Sequence, residues 1–307
     1  MLRALAPHAA QPRALGRFPG WSFTVEEHSP TPQLSLRREI WRRFGRERVE
    51  APVRVAWFEE LRLDLVLGND QSRCLYVCGS YEPNEFDFLA RVLRPGMTVI
   101  DVGANEGFYS LFCARRVGAK GVVVAVEPSP RERSRLERNV ALNRLRNVRV
   151  VASALAARPG RAVLRIANAE HNGQNSLGAF GHASVTLAGQ VEVELEPLDT
   201  LVRTQALGRV DLIKLDVEGA ELAVLQGAEA VLAASRPLLL FELFDAALRG
   251  QGASAQEVLD FLAARGYRFL RFSADGGLAP LPSLAEASIN LVAVPAERLP
   301  ALMSAIS

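Results

Sequence analysis

The stretch T-V-I-D-V-G-A-N-E-G-F-Y-S, residues 98–110, decides the fold. A short β-branched run gives way to two glycines, Gly103 and Gly107, and then to a segment with helical apolar spacing. It reads as a buried strand, a tight turn and a helix. In an open parallel sheet, ligands lie outside the carboxyl ends of the strands where strand order reverses, and glycine lets the main chain approach them closely. The junction is therefore expected to hold a cofactor, with Asp101, Gly103, Ala104, Asn105 and Gly107 around it.

From this turn outward, strand and helix alternate. "GVVVAVEP" follows as a second strand, a helix opens at Ser129–Pro130, and "VRVVASAL", "VDLIKLDV" and "RPLLLFEL" give three further strands. A last helix and the runs "YRFLRF" and "SINLVAVP" complete the series. Seven strands with intervening helices predict an α/β fold: a mostly parallel, Rossmann-like sheet covered by helices on both faces. Residues 155–210 are too many for a plain connector and carry "RAVLRIA", "HNGQNS" and "VEVELEP". They predict an inserted hairpin or strand pair beside the site.

The N-terminal part reads differently. Residues 1–20 lack periodicity and carry Pro and Gly, which predicts a mobile leader. "LRREIWRRFGRER" reads as a solvated helix of mixed charge. "VRVAWF", "LRLDLVLG" and "RCLYVCGSY" alternate like antiparallel strands, so residues 21–82 are expected to form a helix and a small β cap. The main domain then covers residues 83–307.

Composition narrows the partners. With 36 basic against 34 acidic residues, the formal charge of +2 gives no global footprint for nucleic acid. The first 50 residues hold nine arginines against five glutamates, so any affinity for an anionic acceptor or surface is expected there. Three cysteines, Cys74, Cys78 and Cys113, are too few for a disulfide framework and fit a reducing compartment. With no secretory apolar region and no run of the roughly 18 apolar residues that a membrane span needs, a cytoplasmic location is expected.

The glycine loop also says which cofactor. A dinucleotide turn has the spacing G-x-G-x-x-G with a pyrophosphate on the helix N-terminus. Here the spacing is G-x-x-x-G, with Asp101 before the loop and Glu106 inside it. Both acids are unfavourable beside a pyrophosphate and compatible with a sulfonium and an ammonium, which points to S-adenosyl-L-methionine. Glu127 ends the second strand, where a carboxylate accepts hydrogen bonds from both ribose hydroxyls, with Pro128 next to it. Ser153 and Ala154, at the end of the third strand, are expected to flank the adenine.

"VDLIKLDVEGAELAVLQGA", residues 210–228, is the second informative block. Asp216 closes the fourth strand and reaches the methyl-transfer region, with Glu218 and Glu221 at the helix entry. Lys214 alternates onto the same side, and a buried lysine needs a partner, for which Asp216 is the nearest choice.

Taken together, "YEPNEFDFLARVLRPGMTVIDVGANEGFYS", "VEP", "NGQNSLG", "LDTLV" and this second block resemble the FkbM family of S-adenosylmethionine-dependent methyltransferases, over residues 73–272. The resemblance implies a class I methyltransferase fold and O-methylation of sugars, polyketides and related hydroxyl compounds. It also implies that Gly103, Asn105 and Gly107 form the cofactor loop, that Glu127 binds the ribose, and that Asp216, Glu218 and Glu221 are the family's acidic block. Glu106 stands where the family more often has an apolar residue.

Methyl transfer to an alcohol needs alignment and a base. Asp216 leads as base or positioning group, also placed to touch the cofactor, with Glu218 beside it, Glu242 at the end of the fifth strand second and His171 third. Asn175 and Ser176 are candidates to bind a polar acceptor. No metal is assigned, although a magnesium ion held by Asp216 and Glu242 is an alternative. The expected partner is a small-molecule or glycan acceptor, not nucleic acid, and assembly is left open, a homodimer being one option. The competing functions are a NAD(P)-dependent oxidoreductase and a non-catalytic S-adenosylmethionine-binding scaffold.

Overall fold

The computed structural model describes residues 32–46, 52–79, 81–273, 277–287 and 290–306. The expected leader, residues 1–20, lies outside them. The N-terminal segment comprises α1 (Pro32–Arg46), β1 (Val53–Ala56), β2 (Arg62–Leu65), α2 (Asp70–Cys78) and α3 (Pro83–Val92). The first half of the main sheet follows as β3 (Thr98–Val102), α4 (Phe108–Val117), β4 (Val122–Val126), α5 (Pro130–Leu142) and β5 (Val148–Val151). An insertion carries β6 (Ala154–Leu155), β7 (Gly160–Ala167) and β8 (Leu187–Glu196). The chain re-enters the sheet through α6 (Leu198–Thr204), β9 (Leu212–Leu215), α7 (Glu221–Gln226), α8 (Glu229–Ala234) and β10 (Leu238–Glu242). It ends with α9 (Asp245–Arg249), α10 (Ala255–Ala263), β11 (Tyr267–Phe272), β12 (Leu278–Pro280), β13 (Asn290–Pro295) and α11 (Leu299–Ile306).

The main sheet runs β12-β11-β13-β10-β9-β3-β4-β5. The five strands from β10 to β5 are parallel, and β13 inserts antiparallel between β10 and β11. This is the class I methyltransferase arrangement. It differs from expectation by an eighth strand: β12 hairpins onto β11 at the edge. Three residues ending in Pro280 give no readable period, and proline is tolerated there because the strand lies at the sheet edge.

Alternation along the buried strands divides the core in two. Val99, Val123, Ala125, Leu238 and Leu240 face one cluster, which also takes in Trp41, Trp57, Phe86 and Phe112. Ile100, Val102, Val124, Val126, Leu239 and Phe241 face the other, with residues of α6, α7, α8 and α10. Because strand side chains alternate between faces, a sheet buried on both sides must be apolar at nearly every position, as these are. Cys74 and Cys113 are buried within the first cluster.

The expected β cap is only partly present. β1 and β2 pair antiparallel, but the third predicted strand, "RCLYVCGSY", is the helix α2. Cys74, Leu75, Tyr76 and Val77 are all buried, so burial there carries no period of two. The helix is defined by its ends. Asn69 caps it through its side chain, accepting from the Ser72 amide at 2.9 Å, and Gly79 closes it in the left-handed conformation. α1 buries Trp41 and Phe44, and its Glu39 pairs with Arg46 at 3.2 Å.

The insertion forms a three-stranded sheet, β6-β8-β7, in which β7 and β8 make a long antiparallel hairpin. The connection between them passes through a 3₁₀ turn at Ala169–Gln174 and bridges back at Ser176 to Arg165. It carries the "HNGQNS" stretch across the carboxyl ends of β3 and β4.

Candidate functional site

β3 is flanked by β4 on one side and β9 on the other, so strand order reverses beside its carboxyl end. A crevice opens there, lined by residues of β3, β4, β9, the N-terminal segment and the insertion, at the place where an open parallel sheet binds its ligands. The glycine loop forms its floor. Gly103 has φ +77°, and a Cβ on it would lie 1.8 Å from the carbonyl oxygen of Asp216, so only glycine permits β3 and β9 to approach so closely. Asn105 is also left-handed, at φ 49°.

Glu127 stands at the end of β4, on the crevice wall. One carboxylate oxygen accepts the Asn105 amide and the other the Ser129 amide, each at 2.8 Å. Burial pushes its pKa up to about 7, against the two amides, which pull it down. Each oxygen retains capacity for a further donor.

On the other wall, Lys214 of β9 lies 3.0 Å from Asp216 and 3.8 Å from Asp101, with its ammonium over the Tyr109 ring. Burial pulls the lysine pKa down, but the two carboxylates outweigh it and hold it above its ordinary value. The expected Lys214–Asp216 pair is therefore present, and Asp101 is its second acid. Asp216 is the accessible partner, its side chain 27% exposed, whereas Asp101 is fully buried. Asp216, Glu218 and Glu242 bring ligand atoms within 4.8 Å of one another, the kind of oxygen set that could hold a divalent cation. Burial, then the neighbouring acids, push Glu218 and Glu242 well above the ordinary carboxyl range. Glu242 Oε2 is buried without a hydrogen-bond partner.

Most of the sequence-predicted residues meet in the crevice: Gly103, Ala104, Asn105, Glu127, Pro128, Ser153, Ala154, Asn175, Asp216 and Glu218 line it. Others do not. Asp101 turns inward, accepting the Ser110 hydroxyl and facing Lys214. Its position on β3 is opposite Lys214 in the β9 register, and it does not line the crevice. Glu106 is also fully buried and paired with Arg135, and does not line the crevice. Gly107 is the left-handed N-cap of α4. Ser176 donates to the Glu218 carbonyl at 3.0 Å, holding that left-handed residue (φ 52°) in place. Glu221 similarly accepts the amides of Val217 and Gly219 and shapes the turn. His171 pairs with Asp70 at 2.9 Å, outside the crevice lining.

Sequence reasoning missed Gln71, Tyr81 and Asn172, which also line the crevice. The first two come from the N-terminal segment. The readable signal for their placement was the pair of caps on α2, Asn69 and Gly79.

The methyltransferase FkbM domain matches residues 101–269, more than half of the chain. This chain belongs to the FkbM methyltransferase family. The match points to S-adenosyl-L-methionine as the cofactor and not to a nicotinamide dinucleotide. Methyltransferase sdnD of Sordaria araneosa is 31% identical over 156 residues, 43% of this chain and 60% of that protein. Ribosomal RNA large subunit methyltransferase E of Sorangium cellulosum is 44% identical over 50 residues, 16% of this chain and 24% of that protein. Among solved structures, methyltransferase FkbM from Methylobacillus flagellatus KT has 16% identity and a TM-score of 0.43, covering 72% of this chain and 52% of that one. This FkbM-family chain thus spans at most 60% of the length of these two curated relatives. Among its described residues no helix is long and apolar enough to cross a membrane.

Proposed function

We propose that this protein methylates a hydroxyl group on a small molecule or glycan, such as a sugar or polyketide. The observation that carries the reading is the convergence of Asp216, Glu218 and Glu242 at the carboxyl ends of β9 and β10, beside the glycine-loop crevice. Within this cluster Asp216, the member that Lys214 contacts, suits removal of a proton from an alcohol.

The residues present fit the donor. Glu127 would hold the ribose through the remaining capacity of its two oxygens, and the main chain at Gly103 and Ala104 allows close approach. Pro128, Ser153 and Ala154 would form the adenine end. When bound, S-adenosyl-L-methionine supplies an electrophilic methyl group. The chain's own work is then alignment and proton removal. Lys214 fixes Asp216 from one side at 3.0 Å, and Asp216 accepts the acceptor's proton as its oxygen gains the methyl. Asn175 would reach a polar acceptor from the insertion, although its amide also donates to Glu132 and its carbonyl accepts the Ala167 amide.

The test is methyl transfer from labelled donor to a panel of sugars, polyketide alcohols, matched amines and RNA. The expected product carries an O-methyl group, and label entering only amines or RNA overturns the reading. Excess chelator is expected to leave the rate unchanged, and loss of activity restored by magnesium would replace the metal-free version with one built on Asp216, Glu218 and Glu242. S-adenosylhomocysteine is expected to raise the melting temperature and NAD(P)H to leave it unmoved.

A further inference from the structure

Glu106 gathers four parts of the chain. Its carboxylate is fully buried, and Oε1 accepts from Arg135 of α5 at 2.7 Å, from Asn69 at 3.0 Å and from Asn172 of the insertion at 2.9 Å. Asn69 and Asn172 also hydrogen-bond one another. The Glu106 carbonyl accepts from Asn139 at 3.0 Å, which fixes the glycine loop to α5 as well.

The residues that follow Asn69 extend this arrangement. Asp70 pairs with His171 at 2.9 Å, and Gln71 accepts from the Asn105 side chain at 2.9 Å. Three consecutive residues, 69–71, therefore each reach the insertion or the glycine loop. Gln71, Asn105 and Asn172 all line the crevice. Asn69 and Gln71 precede the stretch matched by the family domain, so part of the crevice wall comes from outside it.

We propose that Glu106 is a positioning residue of the methyl-transfer site, holding Asn69, Gln71 and Asn172 as a clasp across the cofactor crevice, and that donor and product exchange by its opening. This rests on the placement of the donor proposed above. Glu106 is desolvated and acts through its donors, without touching the ligand. Removing its carboxylate takes the shared acceptor from two buried amides, Asn69 and Asn172, and from the half-buried Arg135 guanidinium, and leaves the start of α2 tied to the insertion by the Asn69–Asn172 and Asp70–His171 contacts without their common anchor. A clasp slows both entry and exit, whereas a plain binding contact slows exit alone.

The experiment measures association and dissociation rates of S-adenosylhomocysteine on the full chain by rapid mixing. Glu106→Leu, Asn172→Ala and Asn69→Ser are each expected to raise both rates by about tenfold, with the dissociation constant moving less than either rate. Glu106→Gln keeps an acceptor for both asparagines and is expected to stay within about threefold of wild type. If Glu106→Leu does not fold, the other two decide, since serine preserves the cap of α2 and Asn172 lies in the insertion. Faster dissociation with unchanged association, or unchanged rates in folded variants, overturns the clasp and leaves the donor site standing. Failure of the wild type to bind S-adenosylhomocysteine overturns both.

Discussion

Glu127→Ala is expected to weaken S-adenosylhomocysteine binding by at least about a hundredfold, because two hydrogen bonds to a charged acceptor are lost together. Titration calorimetry of the folded variant reads the effect. The loss has a second component: the carboxylate also accepts the Asn105 and Ser129 amides, so alanine leaves the glycine loop and the start of α5 without their shared anchor. Glu127→Gln retains one acceptor and is expected to fall between wild type and alanine.

The same residue gives the binding a pH dependence of definite sign. Burial raises the Glu127 pKa to about 7, so below pH 7 the folded, unliganded protein holds it protonated. In the proposed ribose role the ionised form is the one that would accept two hydroxyls, and affinity is expected to fall about tenfold per pH unit below 7. For folding the sign is opposite. Between the ordinary carboxyl value and 7, the unfolded chain has released this proton and the folded chain still holds it. This group's contribution to stability is therefore lost as pH rises through that window. Bound ligand offsets the loss, so the ligand-induced rise in melting temperature should be larger at pH 8 than at pH 6. Glu127→Gln should remove that difference. A pH-independent affinity in wild type contradicts the ribose role.

Much of this site was readable because the strands that carry it are buried on both faces. Val122–Val126 and residues 238–241 are continuous apolar runs followed by an acid, Glu127 or Glu242, and the buried part of Thr98–Val102 is apolar except for Asp101. A parallel sheet leaves few other readings of such runs. The position of an acid relative to the strand end was legible, but its direction was not. Asp101 and Asp216 both close onto the same lysine, yet one is buried beneath it and the other is exposed beside it. That difference is set by the pairing of β3 with β9, a contact between residues more than a hundred positions apart. α2 was misread for a related reason. Its apolar residues are buried all round, so periodicity carried no information, and only Asn69 and Gly79 marked it as a helix. The role of Glu106 depends on Asn69, Arg135 and Asn172, drawn from three distant segments, and no local pattern announces such a meeting.

Asp216→Asn is expected to lower kcat by about two to four orders of magnitude, the usual contribution of a positioned general base, while the dissociation constant of S-adenosylhomocysteine changes by less than about threefold. The asparagine oxygen can still accept from Lys214, so the isosteric change removes charge and basicity while preserving the contact made at 3.0 Å. Alanine is a poorer probe. It would leave Lys214 with the Gly103 carbonyl at 3.3 Å and with Asp101, 3.8 Å away, as its remaining carboxylate contact, and mix a change in packing with the loss of a base. The split between kcat and binding separates two roles that the geometry brings to one residue. Asp216 both lines the crevice and belongs to the acidic cluster with Glu218 and Glu242. If its main task is to neutralise the donor's ammonium, the asparagine variant loses affinity and keeps its single-turnover rate. If it takes the acceptor's proton, affinity holds and the single-turnover rate falls. Glu242→Gln serves as the companion measurement. Burial already pushes Glu242 well above the ordinary carboxyl range, which favours its neutral form, and its amide variant should lower kcat far less than Asp216→Asn. A Glu242→Gln loss equal to that of Asp216→Asn would mean that the two acids act as one unit, and would move the base from Asp216 to the pair.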